Sequence, residues 1–220
     1  MFKRLFTALS IAAMSVVAAA AQTTPVDDFK KAEFYVGYSN GQVDTGLDSG
    51  NSASDFFSDR ANFHGINVSG VYNVSRYIGI KADASGTFNN TRFSDTFFDP
   101  TTSTTYTASF KTTNSLYNVV GGVQVKDNSR EGTFKPFAHA MVGLGHVRTK
   151  VSDVQCTPVL TCPVINESFS DNGLSGIIGG GIDIKLNNSV QIRAIQIDYN
   201  PIRIAGATDH NLRIGAGIVF

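Results

Sequence analysis

Four histidines, two cysteines, a glycine run and a set of alternating charges are the residues here whose types point to chemistry. An imidazole titrates near neutrality, so His64, His139, His146 and His210 are the natural general bases. No local pattern arms any of them with a nucleophile, and each reads as a hydrogen-bonded structural histidine. Cys156 and Cys162 stand with five residues between them in DVQCTPVLTCPVIN, beside Pro158 and Pro163. A metal would need further ligands, and this stretch offers only carboxylate and amide oxygens, so a disulfide is the expected state. Gly176-Ile177-Ile178-Gly179-Gly180-Gly181 has the look of a phosphate loop. It lies inside an alternating pattern and opens no helix, so the context of a nucleotide fingerprint is missing. Small residues facing a narrow interior account for it better. The charges are the most informative group. Glu33, Asp83, Asp183 and Asp198, with Lys81, Lys135, Lys185, Arg193 and Arg213, fall on the face opposite the apolar residues of successive strand-like segments. Both signs are present in near balance, as they must be if the face is buried and the charges are paired.

The elements that carry these residues are strands. From Ala32 onward the apolar period is two. Eight strands are expected: Ala32–Ser39, Asn62–Tyr72, Tyr77–Phe88, Ser115–Val125, Thr133–Val147, Gly173–Leu186, Ser189–Tyr199 and Asn211–Phe220. In the seventh, Val190 and Ile192 hold one phase while Ile195, Ile197 and Tyr199 hold the other, which is read as a bulge at Ala194-Ile195, a simple strand end there being the alternative. Short and long connections alternate. Asn73–Arg76, Lys126–Gly132 and Asn187-Asn188 are short. Asn40–Ala61, Asn89–Asn114 and Arg148–Asn172 are long, and Asn200–His210 is intermediate. In an up-and-down sheet this sorts short turns to one end and long loops to the other, an asymmetry that a soluble Greek-key sandwich has no reason to adopt. Phe34, Tyr72, Phe134 and Phe220 then ring the short-turn rim, and Tyr38, Phe63, Phe88 and Tyr199 the other. Trp is absent from both.

Composition agrees. The chain has 220 residues, 16% of them charged, below the ~25% of an average soluble domain, and 21 are Gly. Sixteen Phe and seven Tyr are too many for a disordered coil. Basic and acidic residues tie at 18 each, so the basic excess of a nucleic-acid binder is missing. Residues 1–21, MFKRLFTALSIAAMSVVAAAA, have a cationic start, an apolar run and a small-residue end. They read as a signal peptide cleaved between Ala21 and Gln22, followed by a linker over 22–31 and one domain over 32–220. Cleavage removes Lys3 and Arg4, leaving 16 cations against 18 acids and a net charge of −2. No internal run approaches 18 apolar residues, so helices do not span a membrane, whereas half-apolar strands remain able to.

The last strand carries a resemblance. Leu212, Ile214, Ala216, Ile218 and Phe220 form one apolar face, and Arg213, Gly215, Ile218 and Phe220 match the C-terminal sorting signal of outer-membrane barrels position by position. With that match, residues 32–220 resemble the outer-membrane β-barrel domain family, of the outer membrane protein A-like kind. The resemblance implies an eight-stranded antiparallel up-and-down transmembrane β-barrel in the outer membrane. It also implies contact with outer-membrane lipid and lipopolysaccharide, and biogenesis through periplasmic chaperones and the barrel assembly machinery. Larger relatives continue into a peptidoglycan-binding domain, which is not expected here. Some small barrels of this kind modify lipid A with a His and a Ser, but none of the four histidines stands in a His-x-Ser pattern. No catalytic residue, metal or cofactor is therefore expected. The resemblance leaves a structural or surface-interaction role first, and a conduit for small or hydrophobic solutes, as in outer membrane protein W relatives, second. No nucleic acid is expected as a partner, and the sequence names no surface partner.

Overall fold

A computed structural model describes residues 29–44, 60–101, 103–129, 131–157 and 167–220. The expected cleavage point at Ala21 and Gln22 lies outside them, as do most of the linker and Cys162. Eight strands follow one another: β1 (Ala32–Asp44), β2 (Arg60–Asn73), β3 (Ile78–Asp99), β4 (Thr104–Lys126), β5 (Phe134–Thr157), β6 (Ser168–Lys185), β7 (Gln191–Ile204) and β8 (Ala207–Val219). Each pairs antiparallel with its neighbour, and β8 returns to β1, closing the sheet. Closure gives each strand a backbone partner on both sides through the barrel proper, which the hydrocarbon interior of a membrane demands, while β3 beyond Phe88 pairs with β4 alone.

Alternation sets the two faces. On β2, Asn67, Ser69 and Asn73 are buried in the bore, while Ile66 is 64% and Tyr72 47% exposed on the outside. The same inversion runs round the barrel: Ile80, Val125, Phe134, Leu144, Ile178 and Ile218 face out, and Lys81, Lys126, Lys135 and Asp183 face in. A water-soluble protein would hide the first set and expose the second. Here the dry surroundings lie outside.

Three sequence expectations change besides Arg148–Asn172, of which β5 takes the residues up to Thr157 and β6 those from Ser168. Asn89–Asn114 is not a loop. β3 and β4 stay paired from Ile78↔Val125 to Asp99↔Thr104, and only residues 100–103 separate them. Asn200–His210 likewise consists of strand on both sides of a turn at Ala205-Gly206, where both residues take positive φ (49° and 92°). Beyond the membrane the outward face need not be apolar, so the alternating signal fades while the backbone ladder continues. The Thr-rich composition suits a strand as well as a loop. Third, Phe63 does not ring the outer rim. It points inward and packs with Leu116 and Ile202. On β2 the phase set by Ile66 and Tyr72 puts odd-numbered residues inside.

The bulge is present. The β7–β8 register shifts between Arg193 and Gln196, and Ala194 and Ile195 both reach the outside. The extra residue returns Gln196 and Asp198 to the bore.

Candidate functional site

The bore is filled from the short-turn end upward. Near that end, Lys126 Nζ donates to Glu33 Oε1 (2.9 Å) and Oε2 (3.0 Å), Asp183 Oδ2 (2.7 Å) and Gln191 Oε1 (3.0 Å). Arg193 grips Asp183 with two nitrogens, Nε to Oδ1 at 2.8 Å and Nη2 to Oδ2 at 3.1 Å. That bidentate pairing is the strong, directional form of a charge-assisted bond. The guanidinium also lies 4.3 Å from the Tyr35 ring centre and 4.1 Å from that of Phe137, so its faces are covered by aromatic π-clouds.

Gln196 links this cluster to the next. Its Oε1 accepts from Arg193 Nη1 at 2.7 Å, and its Nε2 donates to Asp198 Oδ2 at 2.6 Å. Arg213 bridges Asp198 (2.8 Å) and Asp83 (2.8 Å), and Asn67 adds a bond to Asp83. Asp198 Oδ1 holds His139 Nε2 at 2.8 Å, and His139 Nδ1 faces Lys81 Nζ at 3.1 Å. An ammonium only donates, so Nδ1 is the acceptor, Nε2 carries the proton, and the imidazole is neutral. Three cations (Lys126, Arg193, Arg213) thus pair with four anions (Glu33, Asp83, Asp183, Asp198), and Lys81 joins them through His139, all buried.

Of the charges singled out in the sequence, Lys135 and Lys185 stand apart from this network. Lys135 is buried, but its Nζ is held by the carbonyls of Asp127 (3.0 Å), Ser129 (2.6 Å) and Glu131 (2.9 Å). Lys185 is half-buried at the mouth. Lys126 is central and was not singled out, because it adjoins turn-forming residues. The parity of Gln124 and Lys126 on β4 was the available signal.

Apolar residues close the rest. Val120, Met141 and Ile177 pack beside the upper cluster, and Phe63, Leu116 and Ile202 cross the bore at the outer end. A gap lined by Thr87, Asn118, Asn200 and Arg213 measures about 10 Å³, room for one water. Among the described residues no group of three or more His, Cys, Asp or Glu is placed to hold a metal ion.

Gly179 is where the strand run of glycines matters most. A Cβ there would collide with Asp198 Oδ1 and the Ile197 carbonyl. Its absence lets the Asp198 carboxylate occupy the bore between His139 and Arg213.

The remaining histidines form an outward belt that no local sequence pattern marks. Tyr38 stacks on and hydrogen-bonds His64 across β1–β2, and Tyr199 does the same with His210 across β7–β8. Tyr117 lies 6.1 Å from His146 across β4–β5, and His146 Nδ1 also contacts Asn172 Oδ1 at 2.9 Å. These pairs sit at the outer interface, where rings with an apolar body and a polar tip are favoured. Above them Arg92, Lys111, Arg148 and Lys150 take outward positions on β3, β4 and β5, with Arg92 directly opposite Lys111. At the chain end Arg213 enters the bore, Gly215 adjoins β1, and Ile218 and Phe220 face outward. Phe220 and Phe34 exchange backbone hydrogen bonds at 2.8 and 3.1 Å, so the last residue belongs to the closing seam.

The outer membrane protein beta-barrel domain family matches the chain over residues 6–220. Among solved structures, Ail, the attachment invasion locus protein of Yersinia pestis, crystallised with the heparin analogue sucrose octasulfate, superposes with a TM-score of 0.52. It is 17% identical over 86% of this chain and 98% of that one. Neisserial surface protein A gives 0.45 at 13% identity, over 86% of this chain and 95% of that one. OprG of Pseudomonas aeruginosa gives 0.40 at 13%, over 89% and 98%. The likeness to Ail is one of fold. No curated protein matches the sequence.

Proposed function

Because the chain belongs to the outer membrane protein beta-barrel domain family and so resides in the outer membrane, we propose that it works through its outer surface and not through its bore. The observation that carries this reading is the filling of the lumen by two linked ion-pair clusters and two apolar packings. A solute conduit, the second reading, calls for an apolar passage through the upper lumen. There Phe63, Leu116 and Ile202 touch one another across the bore, which supports closure. An enzymatic role finds little support, since His139 is engaged by Asp198 and Lys81, and His64 and His210 by tyrosines.

The surface itself has two parts. The protruding β3–β4 hairpin exposes stacked Phe93 and Phe110, 5.2 Å apart, as a contact for a partner outside the cell. Below it, Arg92, Lys111, Arg148 and Lys150 form a cationic face above the Tyr–His belt. Like charges directly opposite destabilise a ladder unless an anion lies between them. Lipopolysaccharide phosphates are the anions available at that depth, and this is the partner we assign to the face. The test compares wild type with the Arg92→Gln, Lys111→Gln, Arg148→Gln, Lys150→Gln variant in nanodiscs with and without lipopolysaccharide. Wild type should gain thermal stability from lipopolysaccharide and the variant should gain little. An equal gain in both would remove the assignment.

A further inference from the structure

Beyond the membrane, β3, β4, β5 and the start of β6 continue as a protruding sheet with two faces, and strand alternation assigns each residue to one of them. Leu116 on β4 packs inside the bore, so Phe110, an even number of residues above it, shares its side. Phe93 lies directly opposite Phe110, which brings Phe93 and Asp95 to the same side of β3. On β5, Val147 packs against the inner apolar layer. Asp171 and Phe169 stand opposite Val147 and Thr149 and carry that side on to β6. The inner wall therefore presents Phe93, Phe110 and Phe169, which are 49%, 37% and 61% exposed, with Asp95 and Asp171 beside them.

The two faces differ in sign. Arg92, Lys111, Arg148 and Lys150 all take outward positions, and Arg203, opposite the outward Leu174, joins them. Among the described residues of β3 to β6 above the barrel, no lysine or arginine falls on the inner wall. Asp95 and Asp171 each accept only from the N–H of the residue that follows, so both carboxylates keep their charge unanswered. The apolar surface is also continuous. Phe93 and Phe110 stack at 5.2 Å, and below the wall Val43, Val147 and Ile204 floor the mouth over Phe63, Leu116 and Ile202. A ladder needs no aromatic rings turned toward water, and a contiguous exposed apolar surface marks an interaction site. Its aromatic residues are of the kind that anchor a partner, and its charge sets which partner is accepted.

We propose that this inner wall is the docking surface for a partner's polypeptide segment that presents apolar and basic side chains together. The inference rests on the reading that the chain works through its outer surface, and it fixes the chemistry of one partner there. Apolar side chains cover Phe93, Phe110 and Phe169, while ammonium or guanidinium groups meet Asp95 and Asp171. The outward cations stay turned toward the lipopolysaccharide phosphates, so one sheet serves two partners of opposite charge. An acidic segment meets the wrong sign on this wall.

The test uses the refolded chain in phosphatidylcholine nanodiscs and two dye-labelled synthetic peptides of one pattern, Leu/Lys and Leu/Glu. Binding is read by fluorescence anisotropy, with the signal from empty nanodiscs subtracted. The Leu/Lys peptide should bind saturably, and less tightly as salt is raised. Phe93→Ser with Phe169→Ser should weaken it at least ~tenfold, as the loss of aromatic anchors does. Asp95→Asn with Asp171→Asn should weaken it and remove most of the salt dependence. The substituted side chains stand above the membrane, and the folded gel band checks each variant. Equal binding of the two peptides, tighter binding of Leu/Glu, or binding that survives both pairs of substitutions overturns the inference. Absence of binding to wild type also overturns it. Retained stabilisation of that preparation by lipopolysaccharide then shows that the partner's chemistry was wrong and the outer-surface reading was not.

Discussion

Arg193 is the side chain on which the lower lumen turns, since it pairs with Asp183, bonds Gln196 and fills the space between Tyr35 and Phe137. Arg193→Ala leaves a cavity and strips one partner from Asp183. Breaking a buried pair costs about 3–5 kcal/mol. Lys126 still reaches Asp183 at 2.7 Å, so the expected loss is at the lower end. Urea titration followed by the folded and unfolded gel bands measures it, and a loss below ~1 kcal/mol would show that the network is ornamental to stability. Gly179→Val should be at least as damaging, because its methyls take the place of the Asp198 carboxylate. A pH effect is expected at the surface. Arg76 donates twice to Asp127 and, with Ser129, holds its carboxyl well below the usual range. A depressed carboxylate stabilises the fold above the unfolded value of about 4, and that contribution is lost as pH falls further toward the folded value. The pair is exposed, so solvent screening limits it to about 1 kcal/mol or less. The penalty of Arg76→Gln should therefore be present at pH 7 and shrink below pH 4. An unchanged penalty at pH 3 would assign it to packing. At this scale the bore-facing charges were legible by counting alternate residues from an apolar neighbour. Lys126 was not, because turn-forming residues follow it. The Tyr–His belt also escaped, since its partners are 11 to 29 residues apart in sequence and only the register brings them together.

Strands reveal themselves in sequence only where a membrane dictates one of their faces. The expected third strand ended at Phe88, where the apolar alternation ends, but hydrogen bonding carries β3 on to Asp99. The bulge in β7 was legible because it lies within the membrane, where a change of phase would otherwise bury Ile195 or expose Asp198. The closing seam makes β8 the most sensitive element. Deleting Phe220 removes an outward ring worth about 1.5–3 kcal/mol together with its backbone exchange with Phe34. We propose that Arg213, Gly215, Ile218 and Phe220 are also read during assembly. Cells should then degrade the truncated chain and show little of it in the outer membrane. Normal levels there would refute that role. At the outer end of β5, Cys156 pairs in register with Ala108. The proposed bridge to Cys162 closes a short loop and adds at most ~2–3 kcal/mol. Cys156→Ser should leave the barrel folded, and thiol labelling of the unreduced wild type should be nil. Labelling of both cysteines would exclude the bridge.

As a whole, the molecule is an inverted protein: apolar outside over the membrane, with buried charges in the bore. Eight strands enclose a bore just wide enough for side chains, and here the side chains meet. Four buried anions are paired with Lys126, Arg193 and Arg213, and the apolar layer of Phe63, Leu116 and Ile202 lies above them. Opening a water path would require parting Arg213 from Asp83 and Asp198, or Lys126 from Glu33 and Asp183, in each case leaving charges without partners. Single-channel recording of the purified, refolded wild-type protein in planar bilayers shows whether the bore is closed. The expected record shows no steady conductance, or only brief openings far below those of a porin. A stable open channel of porin-like conductance would contradict a closed bore and make solute passage the protein's function.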